Sequence, residues 1–363
     1  MRQTTIVHRV GALAAALFLS VGAQGFQPES PEGVDAWSEH VWTSARSGDD
    51  QEVAALLSEF NTRTGTDQLK DLRSMTTRYE NDVATREADR ATRIGEVRKE
   101  LITKISEMED DPDGFKTGEA MGLASELVEL SGGSVDAADL LSDPLISQVV
   151  HKADAMAKEA EAAGQWLKAS ELFYRLDILF DIDRRYKADV DRQSQRLAMI
   201  RLYTPKHFWE MRNARRVANG DPELPPYNAI GDSYQEKLAG IDQWLVIKSV
   251  EVSGTRHVDG AAIKEELLAG IEGVRTLALT TELGAAFPGL ADPTKRQAFL
   301  ASLDAQQKQL ENLEKPVNPR VVRGAVTAVL DAAKETVDVP KEALLHAYGN
   351  GALSALDNYS TII

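Results

Sequence analysis

Proline is spread unevenly along this chain, and that restricts its fold more than any other feature. None occurs between Pro31 and Pro112, between Pro144 and Pro205, or between Pro226 and Pro288. Those spans are rich in Ala, Leu, Glu, Lys and Arg, which lose little on entering a helix. Proline removes a backbone donor and clashes with the preceding turn, so long proline-free spans of this composition favour helix. The expected class is all-α, built of helical hairpins and bundles.

Apolar spacing refines this expectation. Asp35 to Arg46 places Trp37, Val41, Trp42 and Ala45 on one helical face, and Ser47 to Asp50 caps a second helix carrying Val53, Leu56, Leu57 and Phe60. From Thr66 to Met108 the intervals of three and four continue through Leu69, Leu72, Met75, Tyr79, Val83, Ala88, Ala91, Ile94, Val97, Leu101, Ile105 and Met108. Such a helix is about 65 Å long and reads as a coiled-coil arm or a helix laid along a bundle. Its middle, Ala84 to Thr92, offers only alanines as a seam and is the place for a break. The turn 109–114 (EDDPDG) partly matches a calcium-binding loop through Asp111, Asp113 and Gly114. It has Glu109 at the first ligand position and Ala120 where a bidentate Glu is required, so it reads as a solvated link between helices.

Residues 143–204 form a tetratricopeptide-like unit. Gly164, Trp166 and Ala169 mark a tight turn, and Phe173, Tyr174, Leu176, Ile178, Leu179 and Phe180 follow on a second helix. Gly220 to Tyr227 (GDPELPPY) is the best internal linker. The expected divisions are therefore 26–142, 143–219, a linker at 220–227, and 228–363. In the last of these, Trp244 to Val252 (WLVIKSVEV) is strand-like in composition but sits among helical neighbours.

Composition narrows the chemistry. With no cysteine there is no disulfide, thiolate metal site, iron–sulfur cluster or cysteine nucleophile. A formal charge of −16 argues against a chain-wide grip on nucleic acid or anionic lipid. Residues 1–25 have the form of an export signal: Arg2 and Arg9 precede an apolar run from Val10 to Val21, with small residues after it. The run is too short to span a membrane as a helix, so membrane contact is expected only through this segment if it is uncleaved. The expected location is the periplasm or cell envelope. The histidines are scattered, and no HExxH, phosphate-binding lysine loop, G-x-G-x-x-G or G-x-S-x-G occurs. The sequence therefore yields no catalytic, metal or cofactor residues. Ser131 to Ser134 (SGGS) reads as a loop. Lys206 to Arg216 (KHFWEMRNARR) is a basic, aromatic island in an acidic protein. Lys206, Arg212, Arg215 and Arg216 are the candidate patch for a phosphate or an acidic partner. The plainer reading puts Phe208, Trp209 and Met211 in a core and the cations on nearby acids.

The last stretch, 341–363, runs KEALLHAYGNGALSALDNYSTII. It resembles a segment of bacterial C-terminal processing (tail-specific) serine peptidases, in which G-x-L-x-x-L-D is followed by P-H-S-x-Y and leads into a PDZ domain. Gly351, Leu353, Leu356, Asp357 and Ser360 match, while Asn358 and Tyr359 stand where the family has Pro-His. Read physically, Gly349 and Gly351 let a helix pack closely, Leu353 and Leu356 face inward, and Asp357 accepts backbone hydrogen bonds at the turn. The resemblance implies a non-catalytic helical region that positions protein substrates or partners. The Ser nucleophile and Lys base would lie in PDZ-linked protease domains beyond Ile363. The competing expectation is a free-standing exported helical scaffold that binds proteins through its hairpins.

Overall fold

The computed structural model describes residues 31–62, 70–133, 136–256, 263–314, 316–356 and 360. Among them the chain forms sixteen α-helices and no strand, so the all-α class holds. The segment 1–25, read as a signal, and Leu69, Ser134, Asp357, Asn358 and Tyr359 lie outside the described residues. No described helix is long and apolar enough to cross a membrane. Contacts divide the chain into two compact units, Met1–Gly95 and Glu96–Ile363.

In the first unit, α1 (Pro31–Ser47) and α2 (Asp50–Thr62) form a hairpin around Trp37, Val53, Leu57 and Phe60. Trp37 stacks on Phe60 with ring centroids 4.6 Å apart and donates its indole N–H to the Leu56 carbonyl. The buried face differs from the expected one. Ser44 is buried, while Trp42 is 63% exposed and Ala45 is also exposed. The reason is register: Trp37, Val41 and Ser44 keep spacings of four and three, whereas Trp42 lies a further 100° round the helix.

Helix α3 (Lys70–Glu107) runs unbroken through the alanine seam. Thr76 is buried in place of the expected Met75 and Tyr79, which are exposed, and every position from Ala84 to Arg93 is exposed. Burial resumes in the second unit at Val97, Leu101 and Met108. The acidic turn then serves as a helix connector. The Asp111 carboxylate accepts from the backbone N–H and hydroxyl of Thr117, at 2.7 and 2.8 Å, and so caps α4 (Phe115–Leu130) from outside. Gly114 takes φ +77° at the entry. Thr117 is fully buried, so Asp111→Ala strands two donors. The expected loss is about 1–3 kcal/mol by urea denaturation, with Asp111→Asn losing less.

The helices that follow begin where proline permits. After α5 (Ala137–Ser142), proline occupies the first turn of α6 (Pro144–Ala162), α9 (Pro205–Ala218), α13 (Pro288–Ala291), α14 (Pro293–Glu311) and α15 (Pro319–Thr336). A helix start wants no donor there, and proline's fixed φ is already helical. Asp143, Asp292 and Asn318 cap three of these starts by accepting backbone N–H groups. Asp143 also binds Arg98 of α3 at 2.5 Å.

Helices α6 and α7 (Trp166–Leu179) fold back on each other through Gly164, at φ +72°. Ala153, Ala157, Ala160 and Ala169 are all buried between neighbours, beside Leu172, Phe173 and Leu176. Tyr174 and Ile178, expected with them, are 57% and 50% exposed. α8 (Lys187–Tyr203) packs next. Glu161 of α6 receives Arg192 through two nitrogens, at 2.9 and 2.8 Å, and Arg196 at 2.9 Å. Arg196 is 3% exposed, lies over the Trp166 ring at 4.1 Å, and also donates to Thr280. Burial pushes the Glu161 carboxyl up, but the two guanidinium groups outweigh it and hold it at about 2.

One apolar core runs from Trp166, Met199 and Ile200 to Leu353, drawing on residues on both sides of 220–227. Its C-terminal share comes from α11 (Gln243–Arg256), α12 (Ile263–Leu279), a 3-10 turn (Thr281–Ala285), α14, α15 and α16 (Lys341–Ser354). The strand-like run 244–252 is thus the middle of α11, with Val246 and Val250 buried at helical spacing. The tightest crossing joins α12 to α16. A Cβ on Gly351 would lie 2.5 Å from the Ala269 carbonyl oxygen and 3.0 Å from the Gly273 Cα; one on Gly273 would lie 2.5 Å from the Ala347 oxygen.

Candidate binding groove

Four short-range facts build a groove at the end of α8. Tyr203 ends that helix and Pro205 starts α9, so the chain changes direction at Thr204 without a loop. α9 buries none of its residues fully; Phe208 and Met211 are half-buried and pack against the apolar core, as the plainer reading has them, while Trp209 is half-buried beside it. The 220–227 segment, read as a linker, lies as a strap along α9. It is pinned there by side chains of that helix. Asn213 accepts the Leu224 N–H at 2.6 Å, Trp209 donates to the Pro225 carbonyl at 3.0 Å, and Arg216 donates to the Pro222 carbonyl at 3.0 Å. The strap then continues to the short α10 (Tyr234–Lys237), capped by the Ser233 hydroxyl.

Helix and strap border an open groove of about 840 Å³. The wall and floor are Leu202, Pro205, Phe208 and Trp209 from the helices, and Leu224, Pro225, Pro226 and Tyr227 from the strap. The Trp209 and Tyr227 rings are 6.3 Å apart, and Tyr227 donates its hydroxyl proton to Asp232 at 2.5 Å. That bond pushes the Tyr227 phenol up to about 12, so it stays a neutral donor. Arg201, Arg212 and Lys237 reach the same space. Lys237 faces Asp232 at 3.8 Å. Arg201 and Arg212 have no carboxylate partner among the described residues, and Arg212 stands 5.8 Å over the Phe208 ring. The groove is of ordinary ligand-pocket size, with an apolar lining and a few polar groups at its edge.

The structure divides the candidate basic patch. Arg215 faces inward: it pairs with Glu171, donates to the Asp113 carbonyl at 2.6 Å, and lies 3.8 Å over the Phe115 ring. It fastens α9 to α7 and to the acidic turn. Arg216 holds the strap. Lys206 is 3.8 Å from Glu210 and lines a second cleft of about 820 Å³ with His207, Tyr227 and Glu282. Only Arg212 of the four reaches the groove. Arg201, Lys237 and Tyr227 were not singled out from the sequence. A signal for the first was present, because Arg201, Pro205, Phe208 and Arg212 keep helical spacing straight through the α8–α9 junction.

The peptidase-like segment is placed as follows. Gly351 sits at the α12 crossing, Leu353 is 8% exposed in the core, and Leu356 is half-buried against it. Ser360 borders a cleft of about 420 Å³ between α8 and α16, with Gln195, His346, Asn350 and Ser354. In that cleft His346 meets the Tyr203 hydroxyl at 3.4 Å and the Asn350 amide at 2.9 Å, and burial lowers its pKa below the usual histidine value. Among the described residues no three His, Asp or Glu side chains gather in a way that would hold a metal ion. The chain matches no protein-family model, and no curated protein and no solved structure is significantly similar to it.

Proposed function

We propose that this chain is a non-catalytic helical scaffold that holds a segment of a protein substrate or partner, as the positioning region of an exported C-terminal processing serine peptidase. The α9–strap groove carries the scaffold part of this reading. Three aromatic rings and three prolines line an open trough whose second wall is tied down by side chains, so the site is formed before a ligand arrives. The α6–α7 hairpin supports it further, since its Gly164 turn and alanine-lined contact resemble those of tetratricopeptide-type helix pairs. The peptidase part rests on the resemblance at 351–360. Gly351 and Leu353 there pack as the physical reading of the helix has them, a role that does not depend on the family. Export rests on residues 1–25.

The test uses fluorescently labelled β-casein, an unstructured protein, and fluorescence anisotropy. The chain should bind it, and Trp209→Ala should weaken binding ~10-fold, because truncating a central aromatic anchor removes much of a site's affinity. Trp209 is outside the core, so the variant should melt like the parent. Unchanged affinity would remove the groove from the reading. The chain alone should leave casein uncut, and turnover of casein would sink the non-catalytic assignment. Coding sequence running in frame past codon 363 into PDZ and Ser/Lys protease patterns would establish the peptidase part. A natural stop codon there would favour the free-standing scaffold.

A further inference from the structure

The charges at the rim of the groove say which segments it takes, an inference that rests on the groove being a peptide site. Arg201, Arg212 and Lys237 face a single carboxylate, Asp232, in a chain whose formal net charge is −16. Asp232 is already engaged twice, by the Tyr227 hydroxyl and by Lys237. Elsewhere in the second unit Arg192 and Arg196 are matched to Glu161, Arg215 to Glu171 and Arg275 to Asp304, while Arg216 and Arg296 donate to backbone carbonyls and Arg175, Arg320 and Arg323 have no carboxylate partner among the described residues. What sets Arg201 and Arg212 apart is their place: both stand at the mouth of an aromatic trough. A guanidinium without a carboxylate beside rings is suited to a ligand that brings both a carboxylate and an apolar body.

We infer that the groove selects acidic peptide segments, with carboxylates on Arg201 and Arg212 and a neighbouring apolar or aromatic side chain against Phe208, Trp209 and Tyr227. Two other anionic partners fit less well. A bare inorganic anion would leave the rings and prolines uncovered. An anionic membrane surface would be repelled by the chain's overall charge. The strap adds an edge. Its carbonyls at Pro222 and Pro225 are taken by α9, so recognition falls to side chains rather than to strand addition.

The experiment measures anisotropy of two short fluorescein-labelled peptides on the full chain. One has glutamates flanking a Leu-Trp pair, and the other has lysines in their place. The acidic peptide should bind and the basic one should not. Arg201→Gln with Arg212→Gln should weaken the acidic peptide ~10-fold, as two exposed charge contacts beside the rings allow, and raising salt should weaken the parent likewise. Both arginines are exposed, so the double variant should keep its melting temperature. Equal binding of both peptides overturns the inference. So does an unaffected double variant alongside a Trp209→Ala variant that has lost binding; there the scaffold reading stands and only the charge selection falls. If neither peptide nor β-casein binds, the scaffold reading itself has failed. Displacement of the acidic peptide by inorganic phosphate at constant ionic strength would identify a simple anion site instead, and would also overturn the inference.

Discussion

Gly351→Ala should lower the melting temperature by roughly 2–12 °C, while the same change at Gly324 should leave it level or raise it. Both glycines are helical and each gains one methyl group. On α16, the new Cβ would lie 2.5 Å from the Ala269 carbonyl oxygen and 3.0 Å from the Gly273 Cα, both backbone atoms that no rotamer change can move. Separating α12 from α16 disturbs the core on both sides, where Leu267, Ile271, Val274, Leu344 and Tyr348 are all almost fully buried. Overpacking of this kind costs about 1–3 kcal/mol, and each kcal/mol is ~2–4 °C for a unit of this size. On α15, a Cβ on exposed Gly324 meets nothing within 4 Å, so the usual helix preference for alanine, ~0.5–1 kcal/mol, acts alone. The readout is thermal unfolding by circular dichroism. If the two variants shift together, the α12–α16 crossing is looser than described.

The second large effect belongs to Glu161. Glu161→Leu leaves Arg196, 3% exposed, without its carboxylate, and Arg192 with only Asp189. Stranding a buried guanidinium costs about 3–5 kcal/mol. Removing its charge as well, in Glu161→Leu with Arg196→Met, should recover much of that loss, because apolar replacements of buried ion pairs are often neutral. The same group gives a pH signature. Its folded pKa, about 2, lies below the ordinary 4.5, so its contribution is complete above pH 4.5 and fades as the pH falls toward 2. The full shift corresponds to at most about 3 kcal/mol, less some solvent screening because the side chain is 22% exposed. Urea midpoints across this window should drop more steeply in the parent than in the double variant. Parallel curves would show that Glu161 does not carry the acid sensitivity.

Helix positions were legible because proline and the capping residues act locally. Pro144, Pro205, Pro288, Pro293 and Pro319 each open a helix, and Asp143, Asp292 and Asn318 cap from the positions their chemistry favours. Which face a helix buries was less legible. Trp42, Met75, Tyr174 and Ile178 are all large and apolar, and all are exposed, because burial depends on the partner helix and not on residue type alone. The groove was half-legible. The aromatic and basic island at 206–216 marked its helix, but two of the four cations named there are structural fasteners. Arg215 holds Glu171 and a distant carbonyl, and Arg216 holds the strap. Those partners come from 44 and 102 residues before Arg215 and six after Arg216, separations that no helical repeat encodes. The strap read as a linker because three prolines in eight residues exclude helix. They do not exclude a fixed irregular path when side chains supply its hydrogen bonds.

That strap has a consequence for how the groove could change over time. Every residue lining the groove falls between Ala198 and Lys237, one uninterrupted stretch of chain. The central core, by contrast, draws its members from Trp166 through Leu353. Substitutions that retune the trough therefore need not touch the α12–α16 crossing or the Glu161 cluster. The strap and the outer face of α9 can thus vary with little effect on the core, whereas Leu202 and Phe208, which line the groove and also pack against the core, tie its floor to the stability of the fold.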